Sequence, residues 1–272
     1  MVEITKKYEA LVETDRKLVG VKLVRSQEEF DRCDAIKVSA PITYCVAVKS
    51  ATLGHSVKLT SDTSGCGGST RALGLEAPAA DFYDGSSGCS LGLYSDKKLS
   101  ADVASKMKLC APDTYGVVVK PLDRFEKEPD VVLAVVDTRN AMRIIQGYSY
   151  YYGMQDSFCM SGNQAVCVEA TAIPYVTNDI NVSVFCSGTR FLAGWKDFEV
   201  VVGIPYSKFG TIVEGIRKTV NAVEPDERKK VIADKLEKLG YSRDEIIFGD
   251  TYYLRLEREK IEARKKTHNE TK

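Results

Sequence analysis

The stretch DVVLAVVDTRNAMRIIQGYSYYYG, residues 130–153, decides the fold class of this chain. Its first half is an unbroken apolar run rich in valine, which predicts a β-strand over 130–136. Its second half predicts a helix over 137–153, with Asp137 or Thr138 as N-cap and Gly153 as the stop. Working outward, GVKLV (20–24), HSVKLT (55–60), YGVVVKPL (115–122), DINVSVF (179–185) and FEVVVGIP (198–205) read as further strands. Helices are expected at 4–18, 26–33, 43–54, 162–172, 208–223 and 225–240. Ser26 with Glu29 forms a capping-box pattern, Gly54 suits a C-cap, and the 162–172 helix is expected to end near Pro174. The order shows neither a clean βαβ repeat nor a dinucleotide or P-loop fingerprint. It predicts one α+β domain over 1–253, a mixed sheet flanked by helices. A charged helical tail over 254–272 follows, packing outside the domain or serving a homo-oligomer.

Bulk properties narrow the function classes. Lys and Arg total 38 and Asp and Glu total 38, so no global field favours nucleic acid or an anionic membrane. No run approaches the about 18 apolar residues of a membrane span; the longest, Val131 to Val136, is strand-length. The opening MVEITKKYEALVETDRKLVG is charged throughout and lacks a signal-peptide core. These features predict a cytoplasmic protein without nucleic-acid or membrane partners. Eight cysteines in such a compartment are expected as thiols or metal ligands, not as a disulfide framework. The two histidines, His55 and His268, exclude a site built mainly from imidazole.

Three cysteines lie in glycine-rich turns. In TSGCGGSTRALGL (63–75), Cys66 follows a predicted strand and precedes a short predicted helix. Gly65, Gly67 and Gly68 let backbone N–H groups point into one space and let a bulky ligand approach. FCSGTR (185–190) repeats the pattern at Cys186, and each loop carries an arginine, Arg71 or Arg190, suited to an anion. Cys89 in DGSSGCSLGLYS lacks the arginine and reads equally as ligand or turn residue. Cys159 lies in a loop, whereas Cys33, Cys45 and Cys110 read as small buried hydrophobes. Cys167, in QAVCVEA with Glu169 two positions on, reads as core on pattern alone. No pair has C-x-x-C spacing, so any metal site must be assembled by the fold from separate segments.

The motifs YCVAVKSATLG, CGGSTRALGL, VVVKPL, EPDVVLAVVDTRNAMRIIQGYSYYYG, AVCVEATAIPY, NVSVFCSGTR and EVVVGIPYSKF together resemble domain-of-unknown-function family 169, found in archaea and anaerobic bacteria. The resemblance runs from about residue 19 to about residue 216. It implies that the C-x-G-G loop, the A-V-C-x-E segment and the C-x-G-x-R loop recur, which here are Cys66, Cys167 with Glu169, and Cys186 with Arg190. That moves Cys167 from core to candidate site. It also implies an anaerobic setting, tolerant of oxygen-sensitive thiolate or cluster chemistry.

Three readings follow. In the first, Cys66, Cys167 and Cys186, with Cys89 or Cys159 as fourth ligand, hold an iron–sulfur cluster, or zinc as the alternative. Gly67, Gly68, Arg71 and Arg190 would then bind a small anionic molecule. In the second, Cys66 is a metal-free nucleophile with Glu169 or His55 as base. In the third, the loops form a non-enzymatic binding module, with Tyr148, Tyr150, Tyr151 and Tyr152 lining its pocket.

Overall fold

The computed structural model describes residues 1–242, 246, 256 and 259–264. Among these residues the centre is a seven-stranded sheet in the order β2-β3-β4-β1-β5-β7-β6. The strands are β1 (Val19–Val24), β2 (Ile36–Lys37), β3 (Val57–Thr60), β4 (Gly116–Pro121), β5 (Val131–Asp137), β6 (Asn181–Ser183) and β7 (Glu199–Pro205). β2 runs parallel to β3 and every other neighbouring pair is antiparallel, so the sheet is mixed. The helices are α1 (Val2–Leu11), α2 (Gln27–Arg32), α3 (Tyr44–Thr52), α4 (Gly67–Ala72), α5 (Ala80–Tyr83), α6 (Ser86–Ser90), α7 (Lys97–Lys106), α8 (Thr138–Tyr152), α9 (Ile173–Thr177), α10 (Ser187–Ala193), α11 (Tyr206–Val223) and α12 (Asp226–Lys238). A π-helix, Ala165–Ala172, leads into α9. This is the α+β architecture that the order of strands and helices predicts.

Strand alternation divides the apolar residues between two cores. On β5, Val131, Leu133 and Val135 face a core shared with α3, α4 and the π-helix. Val132, Ala134 and Val136 face a second core made by α1, α8, α11 and α12. Because helices cover both faces, 130–136 reads as an unbroken apolar run although its neighbours are antiparallel. Asp137 caps α8 by accepting from Asn140 N at 2.7 Å, and Gly153 ends it at φ 81°.

Two elements depart from expectation for identifiable reasons. The 162–172 segment widens into a π-helix, and the helix continues through Pro174 instead of ending there. Proline has no N–H to offer the carbonyl of Glu169 one wide turn back; the buried Asn181 Nδ2 donates to that carbonyl instead, at 2.7 Å. The 179–185 strand shortens to β6 because Phe185 turns the chain at φ 67°. Helix α7 carried no apolar stripe to reveal it, since only Ser100 and Ala104 are buried on it. Of the charged tail, 259–264 is helical; the expected boundary at 253 and 254 and His268 lie outside the described residues. No described helix is long and apolar enough to cross a membrane.

The π-helix is seated by a glycine. A Cβ at Gly203 of β7 would stand 1.9 Å from the Ala170 carbonyl oxygen. Backbone meets backbone there, so no side chain can swing aside. Gly203→Ala is therefore expected to cost about 2–3 kcal/mol or more, read as a lower urea midpoint; an unchanged midpoint would contradict this seating.

Candidate functional site

The glycine loop is zipped to the segment that enters α3. Ile42 N donates to Thr63 O at 3.1 Å and Gly65 N donates to Ile42 O at 2.8 Å, around a parallel bridge between Ile42 and Ser64. A Cβ at Gly65 would lie 3.3 Å from the Ile42 carbonyl carbon, so the approach needs a small residue. The zipper carries Cys66, the N-cap of α4, toward Cys45, the second residue of α3. Helix α10 packs against α3 from another side. Its Thr189 hydroxyl lies 2.9 Å from Cys45 Sγ and 3.1 Å from Cys186 Sγ, so these two sulfurs are at most about 6 Å apart. Cys186 caps α10 through its sulfur, which accepts from Thr189 N at 3.4 Å.

Electrostatics ties in the remaining sulfurs. Burial pushes the Cys45 thiol up to about 12; the Thr189 hydroxyl opposes this, and Cys186 and Cys66 add to it. Burial also pushes Cys167 well above the ordinary thiol range, reinforced by Cys45, Cys66 and Cys186. The two buried thiols, Cys45 and Cys167, thus both lie within the field of Cys66 and Cys186. Cys45 and Cys167 are buried, while Cys66 and Cys186 are half-buried toward the surface.

Glu169 positions this arrangement from within the fold. Its carboxylate accepts from Ser161 N at 2.8 Å, Gly162 N at 3.1 Å and Ser183 Oγ at 2.5 Å. Ser183 Oγ in turn accepts from Phe185 N at 3.1 Å, fixing the left-handed turn that presents Cys186. The Phe185 ring stacks on Trp195 with centroids 4.8 Å apart. Tyr44 Oη and Thr171 Oγ1 meet at 2.9 Å, joining α3 to the π-helix.

The other candidates are distributed differently. Arg190 donates to the carbonyls of Lys196, Val184 and Glu199, so it braces its own loop instead of presenting its guanidinium to a ligand. Arg71 lies over the Phe82 ring at 4.6 Å. Its guanidinium and Cys66 Sγ flank Gly68, at 3.9 and 3.5 Å from a Cβ built there, while the space at Gly67 is open. Cys89 sits on α6, which packs on α5 and α7. Cys159 is exposed, with its peptide held by Asn181. His55 lies with Ile36 and Arg124 at the β2 end of the sheet, and Glu169 faces Ser161, Gly162 and Ser183, so neither expected base is hydrogen-bonded to Cys66. Tyr150, Tyr151 and Tyr152 are exposed at the end of α8. The residues that pattern reading missed are Cys45, Thr189, Ser183 and Asn181. Cys45 lies inside YCVAVKSATLG, one of the motifs that carry the resemblance, but its helical spacing made it look like core.

The donor set is soft and all-thiol, which suits iron–sulfur clusters or zinc over hard cations. Among the described residues no group of three or more His, Cys, Asp or Glu side chains is drawn in to hold a metal ion. A single tetrahedral zinc, with bonds of about 2.3 Å, needs thiolates about 4 Å apart.

Fold and site together define a mixed-sheet α+β protein in which Cys45 and Cys186 share the Thr189 hydroxyl and the buried Cys167 lies within the field of Cys45, Cys66 and Cys186. The chain belongs to domain-of-unknown-function family 169, described as uncharacterised ArCR, whose model matches residues 7–215. An uncharacterised protein of Methanocaldococcus jannaschii is 29% identical over 220 residues, covering 79% of this chain and 92% of that protein. No solved structure matches.

If Glu169 positions the site, Glu169→Gln should lower stability, because its amide N–H groups cannot accept from three donors. The expected loss is about 2 kcal/mol or more for buried donors left unpaired, measured by urea unfolding. Wild-type stability in this variant would contradict the positioning role.

Proposed function

We propose that the chain holds an iron–sulfur cluster on Cys45, Cys66, Cys167 and Cys186 and uses it to act on or sense a small anionic ligand in the cytoplasm of an anaerobe. The observation that carries this reading is the meeting of distant segments at the Thr189 hydroxyl, 2.9 Å from Cys45 and 3.1 Å from Cys186, with the buried Cys167 raised by the fields of Cys45, Cys66 and Cys186. Core packing alone gives no reason to set two thiols from distant segments, Cys45 and Cys186, on one hydroxyl. A cluster of several atoms reaches further than one ion, which favours it over zinc for side chains not drawn in on a point. When bound, such a cluster supplies electron transfer or Lewis acidity. The half-buried Cys66 and Cys186 mark the open side. Arg71, which forms no ion pair with a described residue and flanks Gly68 beside Cys66, is the cation placed to meet an anion there.

Anaerobic purification followed by iron, sulfide and visible-absorbance analysis tests this. Substituting Cys45, Cys66, Cys167 or Cys186 by alanine should lower bound iron several-fold, while Cys89→Ala and Cys159→Ala should leave it unchanged. An iron-free, colourless wild type, or equal loss from Cys89→Ala and Cys45→Ala, would overturn the assignment.

Metal uptake should also depend on pH with a defined sign. Cys45 and Cys167 keep their protons at neutral pH because burial raises both thiols. A thiophilic metal must displace those protons, so apparent affinity should rise with pH by about tenfold per unit for each proton released. Titration with Co²⁺ between pH 6 and 8, followed by its thiolate charge-transfer band, checks this. A pH-independent affinity would contradict it.

A further inference from the structure

The π-helix has a second working face. Gln164, Val168, Glu169 and Ile173, spaced i, i+4, i+5 and i+9, line a cavity of about 300 Å³, and none of the four clustered cysteines lines it. Val103 and Met107 of α7 and Phe158 and Met160 of the 154–163 strap complete a mainly apolar wall. The strap is tied down at two points. Asn181 Oδ1 accepts from Cys159 N and Asn181 Nδ2 donates to Cys159 O, both at 2.9 Å. Glu169 accepts from the Ser161 and Gly162 N–H groups. Its outer wall is thus held in place by buried polar side chains, so the cavity is formed before any ligand arrives.

Among the polar groups of this wall one has no partner. Asp102 and Lys106 pair with each other at 2.7 Å at the rim, Ser161 Oγ accepts from Asn163 N, and Cys159 Sγ lies 3.5 Å from Ser157 O. The residue Gln164 is 9% exposed and lines the cavity, and its side chain forms no hydrogen bond with a described residue. Its carboxamide, unpartnered at the edge of a mainly apolar cavity, offers a ligand a donor and an acceptor side by side. Charged ligands are disfavoured by the apolar lining, and anions also by the Glu169 carboxylate.

We propose that this cavity is a binding site for a neutral, largely apolar small molecule carrying one amide-like edge, which pairs with the Gln164 carboxamide. It is distinct from the thiol cluster and does not rest on the cluster's metal.

The experiment uses the full chain and three probes of matched shape: 2-naphthamide, 2-methylnaphthalene and 2-naphthoate, titrated by calorimetry. Wild type should bind the amide most tightly and the carboxylate most weakly. Gln164→Leu should weaken the amide about tenfold and leave the hydrocarbon unchanged. Val168→Phe should fill the cavity and abolish binding of all three. Thermal melts check that each variant folds, and Gln164→Met replaces the leucine variant if that one does not. The proposal is overturned if no probe binds wild type, if the order of probes survives loss of the Gln164 amide, or if Val168→Phe leaves binding intact. Those failures would leave the cluster reading standing, because neither substitution touches a thiol.

Discussion

The buried Glu169 carboxylate is the constraint on which the site depends. It sits 2% exposed, and among the described residues it has no cation beside it, so hydrogen-bond donors must replace its water. Those donors come from the strap and from β6. Meeting this demand fixes three things at once. The strap closes over one face of the π-helix, Ser183 is oriented to hold the Phe185 turn, and that turn places Cys186 beside Thr189 and Cys45.

The π-helix is the element through which these constraints communicate. Gln164, Val168 and Glu169 line the cavity beside α7, and Cys167 does not. The π-helix backbone rests directly on Gly203, which leaves it little freedom to shift. Two non-glycine residues with positive φ adjoin the cysteines: Ala165 at 32°, two residues before Cys167, and Phe185 at 67°, next to Cys186. Backbone held in such regions is strained and persists only where surrounding packing over-determines it. Here the stacked Phe185–Trp195 pair, the Tyr44–Thr171 contact and the Glu169 network supply that packing.

Much of the architecture was legible in the sequence because it rests on local signals. The valine runs of β4, β5 and β7, the Asp137 cap and the glycine stops each depend on residues close in sequence. Cys66 and Cys186 could be named from their glycine loops and Cys167 from the family resemblance, and the buried Cys167 lies within the field of the other two. Cys45 could not be named this way, because a helical thiol looks like core until its neighbours are known. Cys89 reads equally as ligand or turn residue, and the glycines around it serve a tight local turn with Gly85 at φ 80° and a crowded contact at Gly88. The π-helix left no periodic signature, because all eight of its residues are buried. Arg190 looked like an anion-binding residue by spacing, but its role depends on three carbonyls that only the fold places around it.

The central claim is that four thiols from α3, α4, the π-helix and α10 form one metal-binding unit. Iron K-edge X-ray absorption on anaerobically isolated protein tests it most directly. The account predicts a first shell of sulfur near 2.3 Å, about the metal–thiolate length known for zinc, with a short iron–iron distance beyond it. A protein that carries no iron, or whose iron is surrounded only by oxygen and nitrogen, would contradict it.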